Sequence, residues 1–156
     1  MRKTRPSRTP WYSQDLWITL ALAGLTALVY APTCGNGFVN YDDPSFITSN
    51  RQVQCGLTWP SLAWACTTLS VANWHPLTWI SFELDYQLFG LNPWGFHLTN
   101  LFLHVLCAVL LFHALRKLGA KSWPSALVAG LFAFHPLHVE SVAWISERKD
   151  VLSTAF

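Results

Sequence analysis

Charged residues are scarce in this sequence. Only 12% of its 156 residues are Asp, Glu, Lys or Arg, about half the share of an ordinary soluble domain, whereas 52% are hydrophobic. One small domain could not bury so much apolar surface in water, so the composition argues against a soluble globular protein. The net charge of only +2 and the lack of a long basic run argue against a nucleic-acid partner. A lipid bilayer is therefore the expected partner.

Cysteine motifs and repeats are lacking as well. The four cysteines form no CxxC pair and no metal-ligand spacing, and no internal repeat is visible. A disulfide between Cys34 and Cys55 and free thiols at both positions are alternatives that the sequence leaves open.

The positions of the few charges mark candidate membrane spans, because a charged side chain is costly at mid-bilayer. Uncharged stretches of 26, 30 and 18 residues follow Asp15, Asp85 and Lys121, each near or above the length of a spanning helix. Another uncharged stretch of 31 residues follows Arg51, but its prolines and polar residues indicate helices in the membrane interface. The sequence thus predicts an all-α integral membrane protein with three transmembrane helices, the start of a fourth, and a long outer loop with short interfacial helices.

Basic residues set the predicted orientation. They precede the first span and fill the short connection after the second, which places both on the cytoplasmic side. They are Arg2, Lys3, Arg5, Arg8, Arg116, Lys117 and Lys121. The membrane would be the plasma membrane in a bacterium and the endoplasmic reticulum in a eukaryote. A cleaved signal peptide is the alternative interpretation of Leu16–Tyr30.

Eight segments follow from these boundaries. They are a basic cytoplasmic N-terminus (1–15), a first span (16–32), an outer loop with an acidic motif (33–93), a second span (94–115), a cytoplasmic connection (116–122), a third span (123–138), an outer segment (139–150) and the truncated start of a fourth span (151–156).

Two adjacent carboxylates, Asp42 and Asp43, are predicted to lie just beyond the first span. Partial burial and neighbouring charge can raise the pKa of a carboxyl group toward the range useful for a general base. Asp43 precedes Pro44, a helix-start pattern, so Asp43 is expected to cap a short helix and leave Asp42 free for catalysis. A solvated turn without chemistry is the alternative.

Two further polar groups are candidates. His97, Asn100 and His104 share one face of the second span, which should therefore face protein or water, for chemistry or for hydrogen bonds between helices. Beyond the third span, His135, His138 and Glu140 are close enough in sequence for a divalent metal, although they lack the i, i+4 spacing of zinc helices. Arg148 nearby can bind a phosphate in bidentate fashion or extend toward the membrane surface.

Several motifs occur together in one known family. They are NWHPLT at 73–78, FGLNPWGFHLTN at 89–100 and FHPLHVE at 134–140, followed by Arg148 and Asp150. From Phe38 onward the chain resembles the N-terminal membrane part of the transmembrane and tetratricopeptide-repeat O-mannosyltransferase-like proteins. That family is similar to the GT-C glycosyltransferases, which use a polyisoprenyl-phosphate sugar and carry an acidic motif in the first outer loop.

The resemblance implies that Asp42 and Asp43 are catalytic, with Asp42 taking the proton from a Ser or Thr hydroxyl of a protein acceptor in an inverting transfer. It also implies a set of residues that bind the donor phosphate or the substrate: Arg148, His135, His138, Glu140, Asp150, His75 and His97. Trp74 and Trp79 would line the lipid or sugar site. No cofactor is firmly implied, and a divalent metal remains open. Because family members continue through more spans into repeats, the chain is expected to be an N-terminal portion that is inactive alone.

Two other functions fit the same sequence. One is a non-catalytic membrane anchor for a tetratricopeptide-repeat scaffold that binds proteins. The other is a transporter or flippase of lipid-linked sugars, which would need inverted hydrophobic repeats.

Overall fold

The structure, a computed structural model, describes residues 11–155, and every regular element in that range is helical. The seven α-helices are α1 (Trp11–Tyr30), α2 (Trp59–Thr67), α3 (Pro76–Phe89), α4 (Pro93–Lys117), α5 (Ser122–Phe134), α6 (His138–Ala143) and α7 (Arg148–Thr154). Shorter helical turns lie at Ala31–Gly35, Pro44–Thr48, Val53–Cys55, Ser70–Ala72 and Ile145–Glu147. The all-α prediction is therefore confirmed for the described residues, whereas the basic residues at positions 2–8 and Phe156 lie outside them.

Local sequence signals explain where several helices begin and end. Thr58 and Ser61 form a reciprocal capping box at the start of α2, and the Asn92 side chain accepts a hydrogen bond from the Trp94 N–H at the start of α4. Gly90 ends α3 with φ of 61°, a left-handed conformation that favours glycine. α5 ends at Phe134, before the predicted end at residue 138, because His135 precedes a proline and is extended.

α1, α4 and α5 pack into a three-helix bundle in which α4 runs antiparallel to the other two. Its apolar core is formed by Ile18, Leu22, Phe112 and Ala129. Two helical stretches, Ser13–Gly35 and Pro93–Lys117, are long and apolar enough to cross a membrane. In the most apolar window of each stretch, 22% and 33% of the residues are buried inside the protein. α5 is apolar too, but it has only 13 residues.

Residues 31–92, here called the insert, fold onto one end of the bundle. Its core joins Ile47, Trp79 and Phe82 to Phe96 of α4 and to Ile145. Short helices are present in this segment, as expected, but many of their apolar side chains pack against protein.

The structure bears on three smaller expectations. Trp79 is fully buried in the insert core and lines no open site, whereas Trp74 is exposed. Cys34 and Cys55 are free thiols, so they form no disulfide. The last helix begins at Arg148, three residues before the predicted start of a fourth span.

Candidate active site

The two adjacent carboxylates occupy different environments. Asp43 is fully buried, and its carboxylate accepts hydrogen bonds from the backbone N–H groups of Val39 (2.7 Å) and Ser146 (3.2 Å). The expected helix at Pro44–Thr48 is present, but the Asp43 side chain does not cap it. Its oxygens are already used to join the segment after α1 to the segment before α7. The capping prediction was therefore wrong, because a partner 103 residues away competes for the carboxylate.

Asp42 is half-buried, and the residue before it, Tyr41, lines an open cleft. The cleft has a volume of about 460 Å³ and runs between the turn after α1 and one face of α6. The rings of Tyr41 and Trp144 lie 5.8 Å apart across it, and Glu140 is part of its lining. A carboxylate with water access beside an aromatic-lined cleft can accept a proton from a bound hydroxyl.

The polar face of α4 points into protein, as its spacing predicts. His97, Asn100 and His104 are all buried. The Asn100 amide donates hydrogen bonds to the carbonyls of Val142 and Trp144. This face therefore holds the segment of α6 against α4.

His97 and His104 have different surroundings. His104 Nε2 lies 3.0 Å from the Ala133 carbonyl oxygen of α5. Neither ring nitrogen of His97 makes a hydrogen bond of ordinary geometry, although the ring is close enough to Asp43 to interact with its charge. Of the three residues on this face, His97 is therefore the one next to the acidic pair.

Arg148 is fully buried, which the sequence did not anticipate. Its guanidinium forms an ion pair with Asp85 and donates hydrogen bonds to Asn100 Oδ1 (2.7 Å) and to the Phe96 carbonyl (2.8 Å). The guanidinium carbon also lies 4.5 Å from the centre of the Phe82 ring. The geometry thus assigns Arg148 to joining α3, α4 and α7, and it does not support the expected contact with a phosphate.

The other predicted binding residues do not form one site. His75 is stacked on Phe46 and Trp79 in the insert. Burial lowers the pKa of His75, and the positive charge of Lys149 adds to that effect. His138 and Asp150 line a separate cavity, whereas His135 is exposed.

Two acidic residues of α3 were missed by the sequence interpretation. Asp85 pairs with Arg148 and accepts a hydrogen bond from the Thr99 hydroxyl at 2.7 Å. Burial raises the pKa of Asp85, while Arg148 and Thr99 oppose that rise. Glu83 is fully buried without a hydrogen-bond partner, and burial raises its pKa to about 7. The sequence does contain an indication of Glu83 and Asp85, because they are the first charged residues after 31 uncharged ones.

Several known proteins are similar in sequence to most of this chain. It is 36% identical over 140 residues to the protein O-mannosyl-transferase Tmtc2 of Drosophila melanogaster, covering 85% of this chain and 15% of that protein. It is 35% identical over 157 residues to Tmtc1 of the same organism, covering 96% and 18%. Mouse TMTC1 is 37% identical over 141 residues, covering 85% and 15%.

The chain belongs to the TMTC-like O-mannosyltransferase family. It spans less than a fifth of the length of these three relatives. No protein-family model matches it, and no solved structure matches it. Its apolar helices are consistent with the membrane localisation of TMTC proteins.

The sequence left a divalent metal open, and no site for one is evident in the part of the chain that the structure describes. Within residues 11–155, no three His, Cys, Asp or Glu side chains are grouped so that they could hold a metal ion. His138 faces the cavity described above and Glu140 faces the cleft beside Asp42, so α6 separates two of the three proposed ligands. The residues present therefore do not fit a metal centre at this position.

Proposed function

We propose that this chain contributes the acidic loop of a membrane glycosyltransferase that moves a sugar from a polyisoprenyl-phosphate donor to a Ser or Thr hydroxyl of a protein. The observation that carries the proposal is the difference between the two carboxylates. Asp43 is buried and fixed by two backbone N–H groups, whereas Asp42 is half-buried and follows Tyr41, which lines the cleft. Family membership supports the glycosyltransferase class.

In the proposed mechanism, Asp42 accepts the proton of the acceptor hydroxyl as its oxygen attacks the anomeric carbon. The bond from that carbon to the donor phosphate breaks, and the configuration at the carbon inverts. Asp43 acts as a positioning residue. The aromatic side chains of Tyr41 and Trp144 would contact the sugar or the acceptor in the cleft.

The proposed membrane arrangement has three spans, formed by α1, α4 and α5. The insert and the 135–155 segment lie on the outer side, and the N-terminus lies in the cytoplasm. α5 is apolar but has only 13 residues, which is short for a span. Arg116 and Lys117 in the last turn of α4 and the basic residues before α1 support this orientation.

The test replaces Asp42 by Asn in the chain and in any longer product of its gene. Sugar transfer from polyprenyl-phosphate mannose to a Ser/Thr peptide is then measured in membranes. Loss of a general base should lower the rate about 10²–10⁴-fold. Ser45→Ala is the matched control, since Ser45 is exposed in the same turn and lines neither the cleft nor the cavity. An unchanged rate in Asp42→Asn would contradict the assignment, and transfer that is absent even with the native residue would favour a non-catalytic anchor.

A further inference from the structure

A second cavity lies among α4, α5, α6 and α7. Its volume is about 340 Å³, within the range of small-ligand pockets, which starts at about 300 Å³. Its lining combines polar and aromatic side chains, including His104, Phe132, His138, Ser141 and Asp150. Most of its polar lining comes from residues to which the mechanism above gives no role.

The cavity and the cleft beside Asp42 lie on opposite faces of α6. His138 and Ser141, three residues apart, line the cavity. Val139, Glu140 and Ala143 line the cleft, and none of the lining residues is shared. A ligand in the cavity would therefore be separated from the proposed base by the helix.

Two of the three hydroxyl groups that line the cavity donate hydrogen bonds within α7. Ser153 Oγ and Thr154 Oγ1 donate hydrogen bonds to the Asp150 carbonyl at 2.9 and 2.8 Å. Ser141 Oγ donates to the Asp150 carboxylate at 3.4 Å. The Ser153 and Thr154 hydroxyls therefore offer mainly acceptor lone pairs to a ligand, whereas the long Ser141 contact leaves that hydroxyl able to donate or accept.

The ring of His104 leads to the same conclusion. A carbonyl oxygen accepts and never donates, so the 3.0 Å contact between Nε2 and the Ala133 oxygen places the proton on Nε2. In the neutral ring, Nδ1 is then an acceptor. With the Asp150 carboxylate, acceptors outnumber donors in the lining, in which the His138 ring still offers an N–H group.

The charge and shape of the cavity lining further restrict the kind of ligand that it can bind. Among the described residues that line the cavity there is no Lys or Arg, and Asp150 carries the negative charge, so a phosphate would be repelled. The rings of Phe132 and His138 lie 4.5 Å apart and offer an aromatic surface for C–H groups. A neutral ligand with several O–H donors and an apolar face meets all of these conditions.

We propose that this cavity binds a monosaccharide unit through its hydroxyl groups, on the face of α6 away from Asp42. The ligand is recognised there and not transferred. The inference rests on the proposed function only for the choice of mannose as the probe.

The experiment measures binding and not transfer, so the two proposals can fail separately. The chain in detergent micelles is titrated with methyl α-mannopyranoside, followed by saturation-transfer NMR. Asp150→Asn replaces a charged acceptor by a neutral one, and we expect binding to weaken about tenfold. Glu147→Gln is the control, since Glu147 pairs with Lys149 outside the cavity lining and its loss should leave binding unchanged.

Circular dichroism checks that each variant keeps its helices. If Asp150→Asn loses its helices, mannoside binding is measured on Ser141→Ala instead. We expect that variant to bind the mannoside a few fold more weakly than the native chain. The proposal is overturned if the native chain does not bind the mannoside, if the cavity variants that fold bind it as tightly as the native chain, or if inorganic phosphate or tetramethylammonium binds more tightly in the same titration. Loss of transfer in Asp42→Asn with mannoside binding retained would support the cavity as a site separate from the catalytic one.

Discussion

Each end of the helix bundle contains an arginine–aspartate ion pair, and the two pairs differ in how far they are exposed to water. At one end, Arg116 pairs with Asp15 at 2.9 Å, and both side chains keep some exposure, 22% and 16%. At the other end, Arg148 pairs with Asp85 where their side chains are only 0% and 3% exposed. Water can solvate the first pair when it opens, whereas the second pair has only protein groups available. The end with the insert therefore depends on a buried ion pair. Removing one partner of that pair would leave the other charge buried and uncompensated.

The buried pair also attaches the insert to the helix bundle. Arg148 joins α7 to two carbonyl or amide oxygens of α4 and to Asp85 of α3. Asp43 adds a second connection, from the turn after α1 to Ser146. These connections position Asp42, because it is the direct neighbour of one of the anchored groups.

The largest expected effect comes from breaking the buried pair. Arg148→Met leaves the Asp85 carboxylate buried without its partner, which should cost about 3–5 kcal/mol of unfolding free energy. The measurement is a denaturant titration of the chain in micelles, followed by circular dichroism. The double variant Arg148→Met with Asp85→Leu removes both charges and should recover most of the loss. A single-variant loss below about 1 kcal/mol would contradict the structural role.

An intermediate effect is expected from Glu83 and depends on pH. The pKa of Glu83 in the folded chain, about 7, lies above its ordinary value of 4.5, so the folded state binds the proton more tightly than the unfolded state. The contribution of Glu83 to the unfolding free energy is therefore fully present below pH 4.5, is lost as the pH rises toward about 7, and does not change further above that value.

Glu83→Gln should remove this fall, because the amide has no proton to lose. Titrations of native and variant chains at pH 4, 5.5, 7 and 8 provide the check, with Glu147→Gln as the control for an ion-paired carboxylate in the 135–155 segment. A native chain that gains stability between pH 4.5 and 7 through Glu83 would contradict the burial argument.

The smallest effect is expected at the opposite end. Arg116→Met removes a partly exposed ion pair, whose contribution is typically up to about 1 kcal/mol. High salt should weaken the native pair and narrow the difference between native and variant chains. The same denaturant titration measures both. A loss of unfolding free energy in Arg116→Met as large as that in Arg148→Met would contradict the proposed difference between the two ends.

The helices could be predicted from the sequence because their signals are local. Long uncharged stretches located α1 and α4, whereas the predicted third span continued past the observed end of α5 at Phe134. The inward direction of His97, Asn100 and His104 followed from their spacing alone.

The contacts of the candidate site could not be predicted in the same way. Arg148 was expected at the surface because an interfacial arginine next to polar residues looks exposed in sequence, yet its partner Asp85 is 63 residues away. Asp43 was assigned to a local cap for the same reason. Long-range partners leave no spacing pattern, so which of two neighbouring carboxylates is anchored became visible only in the fold.

Our central claim is that the two ends of the bundle lie on opposite sides of a membrane, with Asp42 on the outer side. The chain provides its own probe, since Cys55 and Cys66 are exposed in the insert and the other described thiols are partly or fully buried. A membrane-impermeant maleimide applied to sealed vesicles of known orientation should label the native chain only from the outer side. In a variant with Cys55→Ser and Cys66→Ser, Lys117→Cys should be labelled only from the cytoplasmic side. Labelling of both positions from the same side, or in the reverse order, would contradict the claim.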